Sequence, residues 1–190
     1  MVEMNKTNPE VAPERQEVPA KGSLTAKGVK IRDEKEIDAL SSRGYGTVEK
    51  KALLLAFYEA LYLVGRGLLD VRDRKGRRMG FRELLQQFEG MHGNAWSQYL
   101  VYRDLRSRGY VAREGFGEGV DFRVYERGEY SKDAAKYLVL SVQEGKPVAV
   151  SDLISAMKQS QGSKKELILA VINRRGEIVY YSIGQLTMQQ

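Results

Sequence analysis

The sequence predicts an α+β (α/β) protein of two domains, with a small N-terminal domain of helices and strands and a C-terminal domain built on a mixed sheet. Helical spacing of apolar residues dominates the first half of the 190-residue chain, and strand-like alternation dominates the second half. A hydrophobic fraction of 42% is typical of a globular protein with a real core. We predict a disordered tail over residues 1–24, an N-terminal domain over 25–91 and a C-terminal domain over 92–190.

The tail prediction depends on composition. Pro9, Pro13 and Pro19 lie among polar residues, where too little apolar surface is available to offset the entropy of folding. The same stretch lacks the apolar segment of a secretory signal peptide. No run of about 18 apolar residues occurs in the sequence, which excludes a transmembrane helix. Together with the absence of cysteine, these features predict a cytoplasmic protein with no membrane partner.

The N-terminal domain opens with a short strand at 28–32, and a loop follows at 41–46. An amphipathic helix is predicted from apolar residues at helical spacing, which are Leu53, Phe57, Ala60, Leu61 and Val64. Glycines end this helix, and a short extended piece follows at 68–71. A strongly basic turn over 72–78 and a second amphipathic helix over 81–88 complete the domain.

The C-terminal domain begins with a helix that Asn94 can cap. Apolar residues fall on two sides of this helix, which is typical of a helix packed between two layers. A second helix, capped by Ser151, lies further along the chain. The predicted strands are 110–113, 120–125, 136–142, 147–150, 166–173 and 178–184.

Composition excludes several kinds of site. Without cysteine the chain has no disulfide, no thiolate zinc site and no cysteine nucleophile. A single histidine, His92, excludes a pair of histidines that act together within one subunit. The net charge of +6 and the isoelectric point near 9.4 favour a polyanionic partner, with nucleic acid ahead of membrane.

Two groups of polar residues are candidates for chemistry. Asp121 begins a strand, and Glu144 and Lys146 follow the next strand, a combination that can hold Mg²⁺ and activate water in a nuclease. The second group is Tyr125, at the end of its strand, and Lys165, at the mouth of a buried strand, where an ammonium can stabilise a phosphorane. For both groups, ordinary turn or surface roles remain open.

Four long blocks of the sequence carry a specific resemblance. They are "ALLLAFYEALYLVGRGLLDV" in the N-terminal half and "SQYLVYRDLRSRGYVAREGFGEGVDFRVYERG", "AAKYLVLSV" and "SKKELILAVINRRGEIVYYSI" in the C-terminal half. The first block resembles the N-terminal domain of the archaeal tRNA-splicing endonucleases, and the other three resemble the catalytic domain of that family. The resemblance implies a restriction-endonuclease-like mixed sheet and cleavage of precursor tRNA at bulge–helix–bulge sites. It also implies that the reaction needs no metal or other cofactor and leaves 2′,3′-cyclic phosphate and 5′-hydroxyl ends.

The resemblance assigns the catalytic triad of the family to three positions. Tyr125 matches the tyrosine that takes the proton of the 2′-hydroxyl, and Lys165 matches the lysine that neutralises the phosphorane. The histidine that protonates the leaving 5′-oxygen falls at Ala134, where no proton donor exists. This implies a catalytic subunit disabled by a histidine-to-alanine change or, alternatively, a naturally non-catalytic structural subunit of a heteromeric enzyme.

The resemblance also implies contacts with RNA and with other subunits. Family members can clamp a bulge base between two side chains, whose positions fall at Lys158 and Tyr180. Arg72 and Arg77, in the basic turn, are predicted to contact the RNA backbone. The family docks an acidic loop into a neighbouring subunit, and the matching loop offers Glu144. The expected partners are therefore precursor tRNA and a second endonuclease subunit, in a hetero-oligomer and specifically a heterotetramer.

Overall fold

The structure, a computed structural model, describes residues 18–116 and 119–184. In the N-terminal domain these residues form one sheet and three helices. The strands are β1 (Ala20–Thr25), β2 (Gly28–Ile31), β3 (Thr47–Glu49), β4 (Ala52–Leu55), β5 (Leu69–Arg72) and β6 (Arg78–Met79). The helices are α1 (Glu34–Ser42), α2 (Phe57–Gly65) and α3 (Phe81–Glu89). The sheet has the order β3-β4-β2-β1-β5-β6, in which β1 and β5 run parallel and the other described pairs are antiparallel.

The N-terminal domain holds more regular structure than the sequence predicts. β1 takes up residues 20–24 of the predicted tail, because it pairs with β2 and β5; residues 1–17 lie outside the described part. Leu53 belongs to β4 and not to the predicted helix, since it pairs with Ile31. The helix α2 begins only at Phe57, where the Glu59 carboxylate accepts the Ala56 N–H at 2.9 Å and closes the first turn.

The C-terminal domain is a mixed sheet covered by helices. Its strands are β7 (Val111–Glu114), β8 (Phe122–Tyr125), β9 (Tyr137–Gln143), β10 (Glu166–Ile172) and β11 (Ile178–Ile183). Its helices are α4 (Ala95–Ser107) and α5 (Val150–Gly162). The strand order is β11-β10-β9-β8-β7, with β9 and β10 parallel and joined through α5, while the other described pairs are antiparallel. The predicted α+β fold with a mixed C-terminal sheet is confirmed.

Three local predictions for the C-terminal domain are wrong. Residues 147–149 form no strand, because Pro147 lacks the N–H that a strand ladder requires and α5 begins at Val150. Ala149 is the residue that precedes the first turn of α5, so Ser151 lies inside the helix and does not cap it. Asn94 does precede α4 as predicted, but its side-chain amide donates to Asp121 at 3.4 Å instead of capping the helix.

The helix α4 lies between the two domains, as its two apolar sides predict. It packs against α2 and α3 on one side and against β7, β9 and β10 on the other. Tyr102 is fully buried at its centre, with its ring 4.8 Å from that of Tyr58 in α2 and 6.1 Å from that of Phe122 in β8. One continuous core therefore spans both domains. Among the described residues, no helix is long and apolar enough to cross a membrane.

A buried ion pair links the two domains. The side chains of Glu59 in α2 and Arg113 in β7 are 3% and 11% exposed, and their Oε1 and Nη1 atoms lie 3.3 Å apart. Burial raises the pKa of Glu59, while Arg113 and the N–H groups of Ala56 and Gly46 act to lower it. Arg113 also donates to the Gly44 carbonyl at 3.1 Å. Each side chain of the pair therefore has hydrogen-bond partners besides the other: backbone N–H groups for Glu59 and a backbone carbonyl for Arg113.

We predict that Glu59→Gln lowers the free energy of unfolding by about 3 kcal/mol, because Arg113 loses its counter-charge in a buried site. The glutamine NH₂ group also faces backbone donors that now point at a carboxylate. Urea denaturation followed by circular dichroism measures the change. The control is Glu49→Gln, at an exposed residue of β3. Equal stability of the two variants would contradict the structural role of the pair.

Candidate active site

The predicted catalytic positions meet at one end of the C-terminal sheet. Tyr125 ends β8 and is level with Lys136 in the antiparallel register, and Lys165 is level with Lys136 in the parallel register. The Lys136 N–H donates to the Val124 carbonyl at 2.9 Å, and the Lys136 carbonyl accepts from the Glu166 N–H at 3.0 Å. Tyr125 and Lys165 are therefore separated by two strand spacings, about 10 Å between backbones.

These positions also share a face of the sheet. Side chains alternate along a strand, so Tyr125, Lys136 and Lys165 belong to the face that carries Leu138 and Leu167. Those two leucines pack against Ala156 of α5. The candidate site therefore lies beside α5, on the opposite face from α4.

Tyr125 is half-buried and is oriented by a second tyrosine. Its ring lies edge-on to that of Tyr130, with the centroids 5.1 Å apart and the planes at 88°. Tyr130 in turn lies against Gly44 of the N-terminal domain, where a Cβ would come within 3.2 Å of the tyrosine ring and 2.6 Å of Val111. Gly44 also has a φ of +78°, so both space and backbone conformation require glycine. Sequence reasoning missed Tyr130, because the contact that places it comes from the other domain.

The turn that ends α5 places Lys165. Ser163 follows the helix, Lys164 takes a left-handed conformation with φ of 54°, and the Lys165 N–H donates to the Ser160 carbonyl at 2.9 Å. The Lys165 ammonium lies 3.4 Å from the Ser163 carbonyl oxygen. It forms no ion pair with a carboxylate of the described residues. Its positive charge is therefore available to an anionic substrate group.

Ala134 is exposed two residues before Lys136, at the end of the connection from β8 to β9. Its backbone N–H donates to the Asp133 carboxylate at 2.6 Å, and its side chain is a methyl group without a proton to transfer. The one histidine of the sequence does not replace it, since the His92 ring stacks on Phe57 of the N-terminal core at 4.8 Å. Two of the three predicted catalytic positions thus carry side chains that can exchange a proton, Tyr125 and Lys165, and the third, Ala134, does not.

An ion pair borders the site beside Tyr125. The Glu126 carboxylate accepts from the Lys136 ammonium at 2.7 Å and from the Tyr137 hydroxyl at 3.0 Å. The hydrogen bond from Lys136 lowers the pKa of Glu126, and the same bond raises the pKa of Lys136. Lys136 therefore stays protonated at neutral pH, and its charge is largely compensated by Glu126. This pair distinguishes Lys136 from the uncompensated Lys165.

The residues of the alternative metal site, Asp121, Glu144 and Lys146, do not lie together in the structure. Asp121 is level with Leu140 of β9, so Glu144 lies four residues further along the strand direction, about 13 Å away. Asp121 is already bonded: its carboxylate accepts from the Ser141 N–H at 2.6 Å and from the side-chain amide of Gln98. Within the described ranges, no three His, Asp or Glu side chains are grouped closely enough to hold a metal ion.

The two positions predicted to clamp a base lie on opposite faces of the sheet. Lys158 is exposed on α5. Tyr180 of β11 faces α4, where its hydroxyl donates to Asp104 at 2.7 Å and the Arg108 guanidinium lies 5.6 Å from the centre of its ring. Burial and the bond to Asp104 raise the pKa of Tyr180. Within a single chain these two side chains therefore do not sandwich one base.

The basic turn forms the tip of the β5–β6 hairpin. Arg72 lies 3.6 Å from the Asp70 carboxylate, while Arg77 lies 3.4 Å from Asp73 and 3.0 Å from Glu83. The side chains of Arg72 and Arg77 are 54% and 64% exposed, so their ion pairs are weak and exchangeable. Glu144 is also exposed, in the turn after β9.

Comparison with known proteins identifies the family. The family model described as tRNA intron endonuclease, catalytic C-terminal domain, matches residues 95–180, and that of the N-terminal domain matches residues 20–85. A tRNA-splicing endonuclease of Methanococcus vannielii is 34% identical over 178 residues, which cover 94% of this chain and 99% of that protein. The chain belongs to the tRNA intron endonuclease family. This confirms the resemblance inferred from the sequence.

Two further relatives support the same assignment. The tRNA-splicing endonuclease of Methanococcus maripaludis is 33% identical over 178 residues, with 94% of this chain and 99% of that protein covered. That of Thermococcus kodakarensis is 33% identical over 152 residues, with 80% and 89% covered. The similarity therefore extends through both domains, and the prediction of an archaeal enzyme family is confirmed.

The bonding of Asp121 leads to a prediction that separates a structural role from metal binding. Asp121→Ala should lower the free energy of unfolding by about 2 kcal/mol, because the Ser141 N–H and the Gln98 amide lose a charged acceptor. Glu144→Ala, at an exposed turn, should change it by less than about 0.5 kcal/mol. Thermal unfolding of both variants measures this. If Asp121→Ala is as stable as the parent, the structural role is wrong.

Proposed function

We propose that this chain is a subunit of a tRNA-splicing endonuclease whose site binds the splice junction of precursor tRNA, a bulge–helix–bulge, but lacks one of its proton donors. The observation that supports this is the juxtaposition of Tyr125 and the uncompensated Lys165 at one sheet end, beside the methyl group of Ala134. No metal or other cofactor takes part in the proposed reaction.

The first half of the proposed reaction uses the residues that are present. Tyr125 removes the proton of the 2′-hydroxyl at the cleavage site, and the 2′-oxygen attacks the adjacent phosphorus in line with the leaving 5′-oxygen. The Lys165 ammonium stabilises the added negative charge of the pentacoordinate phosphorane.

The second half of the reaction needs a group that is missing. The bond from phosphorus to the 5′-oxygen breaks, which leaves a 2′,3′-cyclic phosphate on one product and an alkoxide that must gain a proton to become the 5′-hydroxyl. A positioned acid contributes about 10²–10⁴-fold to such a step. Ala134 cannot supply that proton, so the chain with alanine at this position should cleave very slowly.

Two histories are compatible with Ala134. In the first, a histidine has been replaced by alanine in a catalytic subunit. In the second, the chain is a naturally non-catalytic structural subunit. Retention of Tyr125 and Lys165, which share one end and one face of the sheet, favours the first, since the loss of catalytic selection would not preserve them together.

The proposed assembly has a second endonuclease subunit and operates on precursor tRNA in the cytoplasm. Glu144, exposed in the turn after β9, is the proposed contact with a neighbouring subunit of a heterotetramer. Lys158 on α5 is on the same side of the sheet as the candidate site and is proposed to contact RNA there. Arg72 and Arg77 on the β5–β6 hairpin are proposed to contact backbone phosphates, exchanging their weak ion pairs for them.

We predict that Ala134→His raises the rate of cleavage of a bulge–helix–bulge RNA by about a hundredfold or more, in EDTA, with cyclic-phosphate ends. The introduced imidazole must be protonated to act as acid, so this gain should fall as pH rises above about 6.5. The measurement is single-turnover cleavage by each variant co-purified with its partner subunit, with the chemistry of the product ends determined.

Matched controls test the triad. Adding Tyr125→Phe or Lys165→Ala to Ala134→His should abolish the gain, whereas adding Glu144→Gln should leave the chemistry of the product ends unchanged. Equal cleavage by the parent and Ala134→His would assign activity to the partner and make this chain a structural subunit. Loss of cleavage in EDTA would instead support the Mg²⁺ nuclease of Asp121, Glu144 and Lys146.

A further inference from the structure

A groove with two arginines lies between α2 and α4, on the other side of the molecule's core from α5. Its volume is about 520 Å³, and its walls include Tyr62, Gly65, Arg66, Tyr99, Arg103 and Ser107. We call it the Arg66–Arg103 groove. None of its lining residues belongs to the candidate active site.

Each arginine of the groove is held over a tyrosine ring. The Arg66 guanidinium carbon lies 6.0 Å from the centre of the Tyr62 ring, and that of Arg103 lies 5.7 Å from the centre of the Tyr99 ring. Both tyrosines are almost fully buried, at 9% and 6% exposure, so they form fixed platforms for exposed guanidinium groups. Such platforms restrict the arginines without neutralising their charge.

Neither arginine of the groove is paired with an acidic side chain. In the described part of the chain, neither Arg66 nor Arg103 forms an ion pair. Asp104 also borders the groove, but its charge is balanced by Arg108, whose guanidinium donates to Asp104 Oδ2 at 2.7 Å; the Tyr180 hydroxyl donates to the same oxygen at 2.7 Å. The carboxyl end of α2 contributes a partial negative charge of about half a unit, which the full charge of Arg66 exceeds.

The chemistry of the groove matches a phosphodiester. Guanidinium groups present paired N–H donors that fit two phosphate oxygens, and they are more weakly hydrated than ammonium groups. The Ser107 hydroxyl at the rim already donates to the Asp104 carbonyl at 2.7 Å, so the two guanidinium groups are the donors that the groove offers.

We propose that the Arg66–Arg103 groove binds backbone phosphates of the same RNA whose splice junction lies at the candidate active site. The helix α4 leads from the groove to the same end of the sheet: Leu105 and Arg108, at the end of α4, border a cavity with Val124 and Tyr137, which lie next to Tyr125 and Lys136 in the chain but face α4. Arg103 is about 7.5 Å along the helix axis from Arg108. An RNA arm that passes from the cleavage site round this end of the sheet to the α4 side therefore meets two positioned arginines. This inference rests on the proposed function.

The test measures binding of a labelled bulge–helix–bulge RNA to the full chain over a range of salt concentrations, by fluorescence anisotropy. Arg66→Gln together with Arg103→Gln should weaken binding about tenfold or more near 100 mM salt. It should also reduce the slope of log K against log salt by about 1.8, because each lost phosphate contact contributes about 0.9. The charge-matched control is Arg32→Gln with Lys35→Gln, two exposed residues outside the groove; it should change affinity less than twofold.

A second variant guards against misfolding. Arg66→Lys with Arg103→Lys keeps both charges and should retain most of the salt slope, and thermal unfolding should show all variants folded. The groove proposal is overturned if the glutamine variant binds like the parent, or if the charge-matched control loses as much affinity. If the parent itself binds no RNA, the proposed function fails, and the groove proposal fails with it. These two failures are distinguished by the parent alone.

Discussion

The parallel pairing of β9 with β10 is the constraint on which the candidate site depends. Parallel neighbours start at the same edge of a sheet, so the entry to β9 and the entry to β10 must lie side by side. The chain reaches the second entry only by crossing over through α5, and the turn that ends this helix delivers Lys165 there. A slip of one residue in this register would move Lys165 to the face of α4, away from Tyr125.

The N-terminal domain contributes to the same site through a chain of contacts. Glu59 forms an ion pair with Arg113, and Arg113 donates a hydrogen bond to the Gly44 carbonyl. These contacts place the loop after α1 against the edge strand β7 of the C-terminal sheet. Gly44 lies against Tyr130, whose ring is edge-on to Tyr125. The orientation of Tyr125 thus depends on a buried ion pair in another part of the core. This gives a physical reason for the two domains to share one continuous core instead of being joined by a linker.

Strong periodicity makes most of the C-terminal elements and α3 predictable, and the ends of the predicted strands are enough to locate Tyr125 and Lys165. The elements that escape prediction do so for separate physical reasons. β1 has little alternation and is held by its partners, one of which lies more than 40 residues away. The helix α1 was also missed, although the sequence carries a signal for its first residue: Asp33 caps the first turn by accepting from the Glu36 N–H. Leu53 fits either a helix or a strand, and only its pairing with Ile31 decides. Alternation alone places Asp121 on a solvent-facing row, because the groups that bind it belong to other elements.

The site that results separates the two proton transfers of the proposed reaction. Tyr125 and Lys165 serve the attack of the 2′-oxygen and the charge it creates, whereas departure of the 5′-oxygen depends on the position that Ala134 occupies. Lys136 does not take over that role, because Glu126 holds its ammonium and raises its pKa, which makes it a weaker acid. A site of this kind still offers a cation to the scissile phosphate. Under the proposed mechanism, binding of the splice junction and its cleavage are therefore separable, and the alanine is expected to affect only cleavage.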